Sequence, residues 1–403
     1  MLIELKFKNF LSFKDETVFS MTNVMSFKEH LEENIISTER EFDLLKSAAI
    51  YGANGSGKSN FMSVMNTMSR VLFNSYSNSL KKDDEKPEQD YQFKLNSECE
   101  TENTMYEVSF LLDDYIYKYG FEINGYEIKK EWLSRKKDRE VYLFKREIDK
   151  YDINGESFEE GNKFKSEVNS NVLLLSHLAQ NNQKISKRIF QWFSNVNTIS
   201  GLHERYYDKF TAKLLEKDST FKKWAASVLK YLEISNIEAG EKDGEIITYH
   251  NKFDSNNLLI DAIPFKATNE SEGTKKLIHI LGPIYHTLRN GRILFVDEFD
   301  SKLHPNLSKK LIDLFHKHNK RNAQIIISGH DTNLLDKSIY RRDQIWFVEK
   351  DQFGASELYS LSDFDAKTVR NDSAFDKKYL KNIFGAAETL EISDNLTNLL
   401  YES

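Results

Sequence analysis

The sequence of 403 residues is 39% hydrophobic and 30% charged, which is enough apolar chain to bury the cores of two or three lobes. Its one cysteine, Cys99, excludes an internal disulfide and a cysteine-based zinc site, and no apolar run approaches the roughly 18 residues that a membrane-spanning helix needs. The 56 Lys and Arg residues against 63 Asp and Glu residues give a formal net charge of −7, which argues against coating nucleic acid through bulk charge. We therefore expect a cytoplasmic protein with no membrane association.

The first twenty residues alternate apolar and polar side chains, a pattern that predicts an opening β-hairpin. Charged residues interrupt the segment MLIELKFKNF, whereas a signal peptide needs an unbroken apolar stretch, so we expect no export. A short apolar strand at Lys46–Tyr51 leads into a glycine-rich turn and then a helix at Asn60–Asn74. The polar residues 75–90 are predicted to form a surface loop.

The middle of the chain combines a β-rich part with a helical part. Alternating runs between Tyr91 and Phe144 predict antiparallel strands with tight turns at Asp113-Asp114 and Asn124-Gly125. From Lys184 to about Ser235 the apolar spacing is helical but lacks a sustained heptad, which favours an inserted helical subdomain over a long coiled coil.

The last third of the chain alternates helices with buried strands. This alternation predicts an α/β fold built on a mostly parallel sheet. The predicted elements are a β-like stretch at Ile246–Ile263, helices at Glu272–Leu288 and Pro305–Lys317, and strands at Arg292–Val296 and Gln324–Ser328. We expect an N-terminal lobe at 1–183, a helical insertion at 184–260 and a C-terminal lobe at 261–403.

The strongest local motif is the glycine-rich turn GANGSGKS, which follows the strand at Lys46–Tyr51 and opens the next helix. Its glycines let successive backbone N–H groups and the helix N-terminus surround a phosphate. Lys58 is placed to pair with β- and γ-phosphate oxygens, and the Ser59 hydroxyl is placed to bind Mg²⁺. We expect a bound nucleoside triphosphate with this set of contacting residues: Asn54, Gly55, Ser56, Gly57, Lys58, Ser59 and Asn60.

A second element of the same chemistry is the apolar strand ILFV, which ends in Asp297 and Glu298. Asp297 is expected to orient Mg²⁺, and Glu298 is expected to act as the base that polarises the attacking water. Lys58 and Asp297 are 239 positions apart, which is too far for a small GTPase or for the compact core of a hexameric AAA+ motor. A large insertion must therefore lie between them.

Two further polar features flank this strand. Ser271 and Gly273 lie in a polar turn that opens a helix, where backbone N–H groups can bind a γ-phosphate, although an ordinary helix cap is the alternative. His330 follows the buried strand IIIS and can contact the same phosphate, although a structural histidine is the alternative. His304, His316 and His318 have no metal-binding spacing and are predicted to be surface or loop histidines.

With these blocks in this order, the chain resembles the ABC-type ATPases of the SMC and RecF class. It resembles more closely the AAA-family ATP-binding proteins of bacterial abortive-infection and anti-phage operons, such as the RloA-like proteins. The blocks that carry the resemblance are MLIELKFKNFLSF, YGANGSGKSN, SEGTKKLIHIL, ILFVDEFDSKLHPNL, IIISGHDTNLLD, RRDQIWFVEKD and KKYLKNIFGA. The implied fold is α/β, a P-loop NTPase of the ABC-ATPase head type with a β-rich subdomain and an inserted helical subdomain.

The resemblance also implies roles for particular residues. Ser271 and Gly273 would form the signature that covers ATP on the other subunit, and His330 would be the switch histidine. Asp300 and Ser301 would lie on the loop between the two sites, and Gln180 would be the glutamine that senses Mg²⁺. The chain departs from the family pattern in two places, because the signature is Ser-Glu-Gly-Thr and Leu11 replaces a frequent arginine. Gln183 and Gln92 are the rival candidates for the glutamine.

By the same resemblance, the chain is a catalytic ATPase that works as a homodimer or a larger homo-oligomer. It would serve in phage defence as a sensor and scaffold for an effector protein encoded nearby, a nuclease or toxin. The main alternative is a RecF-like DNA-repair ATPase that binds nucleic acid through the basic segment at Lys129–Lys150. A nuclease is disfavoured because only about fifty residues follow the strand near residue 348, and a transporter subunit is disfavoured by the kind of insertion.

Overall fold

The protein is described from a computed structural model over residues 1–82, 90–165, 168–201, 207–365 and 374–387. Its strands are β1 (Leu2–Lys8), β2 (Thr17–Ser20), β3 (Ile35–Ile36), β4 (Leu44–Leu45), β5 (Ser47–Tyr51), β6 (Thr104–Leu112), β7 (Tyr115–Asn124), β8 (Glu127–Lys136), β9 (Glu140–Glu147), β10 (Lys150–Ile153), β11 (Val196–Ser200), β12 (Ile234–Ala239), β13 (Ile246–Phe253), β14 (Leu259–Lys266), β15 (Ile293–Asp297), β16 (Gln324–Ser328), β17 (Ile345–Lys350) and β18 (Ser356–Ser360). Its α-helices are α1 (Leu31–Asn34), α2 (Lys58–Ser79), α3 (Glu159–Phe164), α4 (Leu174–Gln180), α5 (Lys184–Phe193), α6 (Asp208–Lys217), α7 (Ser219–Leu229), α8 (Glu272–Asn290), α9 (Pro305–Lys317) and α10 (Phe375–Leu380).

A six-stranded sheet carries the predicted phosphate-binding turn. Its strand order is β11-β15-β16-β5-β17-β18, and every neighbouring pair is parallel except β17 with β18. This sheet confirms the prediction of a mostly parallel α/β fold. Because the carboxyl ends of parallel strands lie on one edge, the residues after β5, β15 and β16 are brought together there.

Alternate residues of these buried strands face two different cores. Ala48 and Ile50 of β5 pack in one core, whereas Ala49 and Tyr51 pack in the other. The first core also contains α2, α4 and α5, and the second contains α8 and α9. Helices therefore cover both faces of the sheet, as parallel sheets require, and the site-bearing edge rests on a tightly packed scaffold.

An antiparallel seven-stranded sheet lies against the first core, with strand order β10-β9-β8-β7-β6-β1-β2. The pairing of β1 with β2 confirms the opening hairpin. The turns between β6 and β7 and between β7 and β8 confirm the predicted tight turns, and both contain a residue with positive φ, Asp113 and Gly125. A separate three-stranded antiparallel sheet has the order β12-β13-β14.

Two predicted boundaries differ from the structure. The helix α2 continues through Ser75 to Ser79, where a loop was expected, because the Ser75 hydroxyl accepts a hydrogen bond from the Leu173 backbone and packing outweighs the weak helix propensity of Ser and Asn. The rest of the expected loop includes residues 83–89, which lie outside the described residues.

The segment 184–260, expected as a helical insertion, contains both helices and strands. Its first strand, β11, pairs in parallel with β15 and so belongs to the six-stranded sheet rather than to a separate helical unit. The strand was missed because its sequence, VNTIS, has no apolar alternation and its pairing partner lies almost a hundred residues away. The three expected parts of the chain therefore contribute strands to one sheet.

Two smaller findings concern histidine and membrane segments. His316 was predicted to lie at the surface or in a loop, and this is wrong, because it is buried in α9 with its Nε2 2.7 Å from the Ser47 hydroxyl. Its position on the apolar face of an amphipathic helix explains the burial. Among the described residues, no helix has the length and apolar character to cross a membrane.

Candidate functional site

The turn between β5 and α2 adopts a conformation that only glycine tolerates easily. Gly55 and Gly57 have φ angles of 75° and 116°, in the left-handed region. A Cβ on Gly57 would lie 2.4 Å from the Ser356 Oγ and 2.7 Å from the Ser12 Oγ. On the open side of the turn, a Cβ on Gly55 would meet no atom within 4 Å. The turn is therefore supported from behind and open in front.

Lys58 begins α2 and is largely buried at the base of this turn. Its Nζ donates hydrogen bonds to the Gly52 carbonyl at 2.8 Å and the Ala53 carbonyl at 3.0 Å. The first N–H groups of a helix have no intrahelical partner, and the helix dipole adds partial positive charge at this end. The turn, the helix start and the lysine together suit an anionic group such as a phosphate.

A small network of serines fixes the back of the turn. The Ser356 hydroxyl donates to the Ser56 carbonyl at 2.5 Å, and its Oγ shares a second hydrogen bond with the Ser12 Oγ at 2.8 Å. The side-chain amide of Asn60 donates to the same Ser12 Oγ at 2.8 Å. Asn60 also lines the cavity that is described below. Sequence reasoning missed Ser12 and Ser356, because each lies far along the chain from the turn and neither has a motif.

The acidic pair at the end of β15 is held by four hydrogen bonds that sequence reasoning also missed. Ser328 donates its hydroxyl to Asp297 Oδ1 at 2.5 Å and accepts the Glu298 backbone N–H at 2.9 Å. The fully buried Lys276 donates its Nζ to the Glu298 carbonyl at 2.7 Å, and Gly201 donates its N–H to the Asp297 carbonyl at 2.6 Å. Glu298 itself has a φ of 51°, an uncommon conformation for a residue that is not glycine.

These contacts leave little freedom at the end of β15. Strained backbone of this kind persists where the surroundings over-determine it, and such places cluster at functional sites. A serine at the end of the neighbouring strand and a lysine one turn into α8 were visible in the sequence, but no spacing rule connects them with Glu298.

His330 lies just after β16, on the same edge of the sheet. Its backbone N–H donates to Asp300 Oδ2 at 2.8 Å, and the Asp331 N–H donates to the same oxygen. The His330 side chain is exposed and lines a cavity of about 190 Å³. The other residues around this cavity are Asn54, Gly55, Gly57, Lys58, Ser59, Asn60 and Glu298.

The structure thus brings the phosphate-binding turn, Glu298 and His330 around one cavity, from the ends of three parallel strands. Asp297 precedes Glu298 at the end of β15 and is not itself among the residues that line the cavity. The volume and the donors suit the terminal phosphates of a nucleotide, with Ser59 and Asp297 as the oxygen ligands available for Mg²⁺.

The two signature residues lie elsewhere. Ser271 is the N-cap of α8, where its Oγ accepts the Thr274 N–H at 3.2 Å, and it is exposed. A Cβ on Gly273 would lie 2.7 Å from the Lys302 carbonyl. Neither residue lines the cavity around Lys58.

The charge beside the signature is arranged around Glu272. Lys275 and Lys302 both contact this carboxylate, at 2.7 Å and 2.9 Å, and these hydrogen bonds lower the pKa of Glu272 to about 2. An acidic residue in the first turn also suits the helix dipole of α8. The capping role weighed as an alternative for Ser271 is therefore present in the structure.

The structure does not bring Gln180 to the cavity. Gln180 is the exposed last residue of α4, whose start contacts Ser75, about 24 Å along α2 from Ser59 at about 1.5 Å per residue. Its rivals Gln183 and Gln92 do not line the cavity either. The expected role of Gln180 as a metal-sensing residue therefore has no support from its position.

Comparison with known proteins adds a family. The family model described as "AAA domain, putative AbiEii toxin, Type IV TA system" matches residues 47–336, which is more than half of the chain and spans both the turn at Lys58 and the end of β15. No curated protein matches the sequence.

Similar solved structures are SMC head domains with low sequence identity. The SMC head domain from Thermotoga maritima is 14% identical, with a TM-score of 0.43 over 89% of this chain and 98% of that chain. The Smc head domain with an extended coiled coil, bound to the C-terminal domain of ScpA from Pyrococcus furiosus, is 12% identical, with a TM-score of 0.42 over 95% and 99%.

Proposed function

The chain belongs to the family of AAA domains described with the putative AbiEii toxin of type IV toxin–antitoxin systems, and on this premise we propose that it binds and hydrolyses ATP in the cavity beside Lys58. The observation that carries the proposal is the convergence of the phosphate-binding turn, Glu298 and His330 on one cavity of about 190 Å³. These side chains follow three different strands and are spread over almost 300 positions of the sequence. Chance would not bring them together around a space of the size of a phosphate.

In the proposed reaction, backbone N–H groups of the turn and the start of α2 bind the β-phosphate. Lys58 exchanges the carbonyls of Gly52 and Ala53 for the phosphate oxygens, which carry more negative charge. Ser59 and Asp297 would hold Mg²⁺, which neutralises charge on the phosphate oxygens when it is bound. Ser328 keeps the Asp297 carboxylate in one orientation for that purpose.

Glu298 accepts a proton from the attacking water in this scheme, and His330 stabilises the γ-phosphate as it is transferred. Positioning matters here because a misplacement of about 1 Å in an active site can cost about a hundredfold in rate. The contacts of Glu298 with Ser328 and Lys276 supply that positioning.

The test is ATP turnover and ATP binding by the purified full chain. We expect Glu298→Gln to retain ATP and to lower kcat by about 10²-fold or more, and Lys58→Ala to lose ATP binding. Glu357→Gln, which changes an exposed glutamate of β18, is the matched control and should behave as the unaltered protein. Unchanged turnover in both Glu298→Gln and Lys58→Ala would overturn the site.

We propose further that two copies close on each other, with Ser271 and Gly273 of one copy covering ATP on the other. Their place at an exposed helix N-terminus, outside their own cavity, supports this arrangement. The assembly formed by the Glu298→Gln protein should then increase in mass when ATP is added. The added substitution Ser271→Ala should abolish that increase. A monomer with ATP in both proteins would contradict closure.

The cellular role that we propose is a sensor and scaffold in phage defence, acting with a toxin or nuclease effector. The description of the family, which names a toxin system, supports it. The experiment is a pull-down of the native protein with its genetic neighbour, followed by mass measurement with and without ATP. Failure to recover the neighbour in either state would refute the scaffold role.

The DNA-repair alternative has less support from the structure. Four lysines of the basic segment at Lys129–Lys150 are paired with acidic side chains: Lys129 with Glu127, Lys130 with Glu122, Lys136 with Glu41, and Lys137 with Asp114. Arg146 of the same segment is buried. Salt-sensitive DNA binding in a polarisation assay would revive this alternative.

A further inference from the structure

A second cavity, of about 610 Å³, opens beside the edge strand β11, well away from the phosphate-binding turn. The strand itself forms one wall, and the other walls come from α2, α8, β15 and the start of α6. Its volume lies within the range of sites for small organic ligands. The residues that line it are Asn66, Asn197, Thr198, Ile199, Ser200, Tyr207, Phe210, Pro283, His286, Thr287, Arg292 and Leu294.

One cationic side chain, Arg292, faces this cavity beside the imidazole of His286, and no acidic residue is among the described residues that line the cavity. Arg292 is half-buried, and no described carboxylate lies within ion-pair distance of its guanidinium. Burial lowers the pKa of Arg292, and burial together with the charge of Arg292 lowers the pKa of His286. A guanidinium withdrawn from water is normally paired, so among the described residues Arg292 has room for an anionic partner.

The remaining wall suits a flat ring. Phe210 packs edge-on against His286, with ring centroids 5.2 Å apart, and Tyr207 lies beside it with its hydroxyl donated to the Ser200 carbonyl. The side-chain amides of Asn66 and Asn197 offer both donors and acceptors to polar ring edges.

We propose that this cavity is a binding site for a nucleoside monophosphate or a ligand of the same chemistry, with its phosphate at Arg292 and its ring beside Phe210. A phosphate group takes a bidentate contact from a guanidinium, and an aromatic ring stacks or packs edge-on against Phe210. The site is separate from the cavity at Lys58, since no lining residue is shared.

The strand β11 lies between this second cavity and the proposed ATPase site. Ser200 is paired with Asp297 across the parallel strands, and the Gly201 N–H donates to the Asp297 carbonyl at 2.6 Å. The backbone that lines the second cavity is therefore the backbone that braces the end of β15.

The test is titration calorimetry of AMP, GMP, CMP and UMP into the full chain carrying Lys58→Ala, so that the phosphate-binding turn does not contribute. We expect at least one nucleotide to bind with one equivalent per chain, and Arg292→Gln in the same background to weaken it at least tenfold. Arg321→Gln, an exposed arginine outside the cavity, should leave the affinity unchanged.

Three controls keep the proposal open to refutation. Ribose 5-phosphate and inorganic phosphate should bind at least tenfold more weakly, because they lack the ring. His286→Gln serves as a second variant and should also weaken binding, and thermal melts without ligand identify a variant that has failed to fold. Absence of binding by all four nucleotides at millimolar concentration, or equal affinities of folded Arg292→Gln and Arg321→Gln, would overturn the proposal.

Discussion

The buried pair of Glu131 and Arg146 allows the sharpest test of how the β-rich part of the chain is attached to α4. Both side chains are completely buried, with Arg146 Nη1 3.8 Å from Glu131 Oε2. Glu131 accepts hydrogen bonds from the Leu174 and Leu175 N–H groups, at 2.7 Å and 3.0 Å, and from the Tyr119 hydroxyl at 3.0 Å. The carboxylate of β8 therefore caps the first turn of α4.

We expect Glu131→Ala to destabilise the protein strongly. The substitution leaves Arg146 buried without its carboxylate, which typically costs about 3–5 kcal/mol. With a urea slope of about 3 kcal/mol per M, a loss of about 4 kcal/mol lowers the unfolding midpoint by about 1.3 M. The measurement is urea unfolding followed by far-UV circular dichroism.

The loss of stability should come from leaving the charge of Arg146 buried without a carboxylate. It should not reflect a large net stabilisation by the ion pair itself. Burial raises the pKa of Glu131 above its usual value, even though Arg146 opposes the shift, so desolvation outweighs the attraction. The double variant Glu131→Leu with Arg146→Met should therefore be more stable than Glu131→Ala.

The matched control is Glu127→Ala, because Glu127 lies on the same strand with an exposed side chain and a surface partner, Lys129. We expect it to change the free energy of unfolding by less than about 0.5 kcal/mol. If Glu131→Ala is within about 1 kcal/mol of Glu127→Ala, the reasoning is refuted.

Two other predictions concern catalysis and pH. Lys276→Met should lower kcat for ATP about tenfold or more with little change in KM, because Lys276 holds the Glu298 backbone and not the nucleotide. The control Lys310→Met, on the exposed face of α9, should change neither kcat nor KM. A rise in KM alone would contradict the positioning role of Lys276. Burial, aided by the charge of Lys46, lowers the pKa of His316 to about 3, so the unfolded chain binds the extra proton first as pH falls below about 6.5. The contribution of His316 to the free energy of unfolding is complete above pH 6.5 and is lost as pH falls toward 3, by about 2 kcal/mol at pH 5. His316→Gln should remove this contribution from the pH dependence of the free energy measured by urea unfolding. An identical pH dependence in both proteins would contradict the prediction.

The phosphate-binding turn could be predicted because its determinants are local. The order of a buried strand, a glycine-rich turn and a helix requires glycine where φ is positive, and Gly55 and Gly57 have those angles. The acidic pair at Asp297 and Glu298 was visible for a similar reason, since an apolar strand that ends in carboxylates places them at the sheet edge. The order of the strands in the sheet then places the glycine-rich turn and Glu298 at one cavity.

The supports behind these residues were decided by tertiary structure alone. Ser356 reaches the turn from 300 residues away, Lys276 reaches Glu298 from the body of α8, and β11 joins the central sheet despite a sequence without strand periodicity. Gln180 shows the limit of resemblance, because the expected Mg²⁺-sensing residue ends α4 and is not among the residues that line the cavity.

The physical reason for this division is the range of the interactions. Backbone conformation and amphipathic periodicity depend on neighbours within about one or two turns of chain, so sequence patterns carry them. A hydrogen bond between side chains hundreds of residues apart depends on how sheets and helices pack, and that packing is a cooperative property of the two cores. The residues that we propose for catalysis, Lys58, Asp297 and Glu298, can therefore be identified from the sequence, whereas the contacts that Lys276, Ser328 and Ser356 make around them exist only in the folded chain.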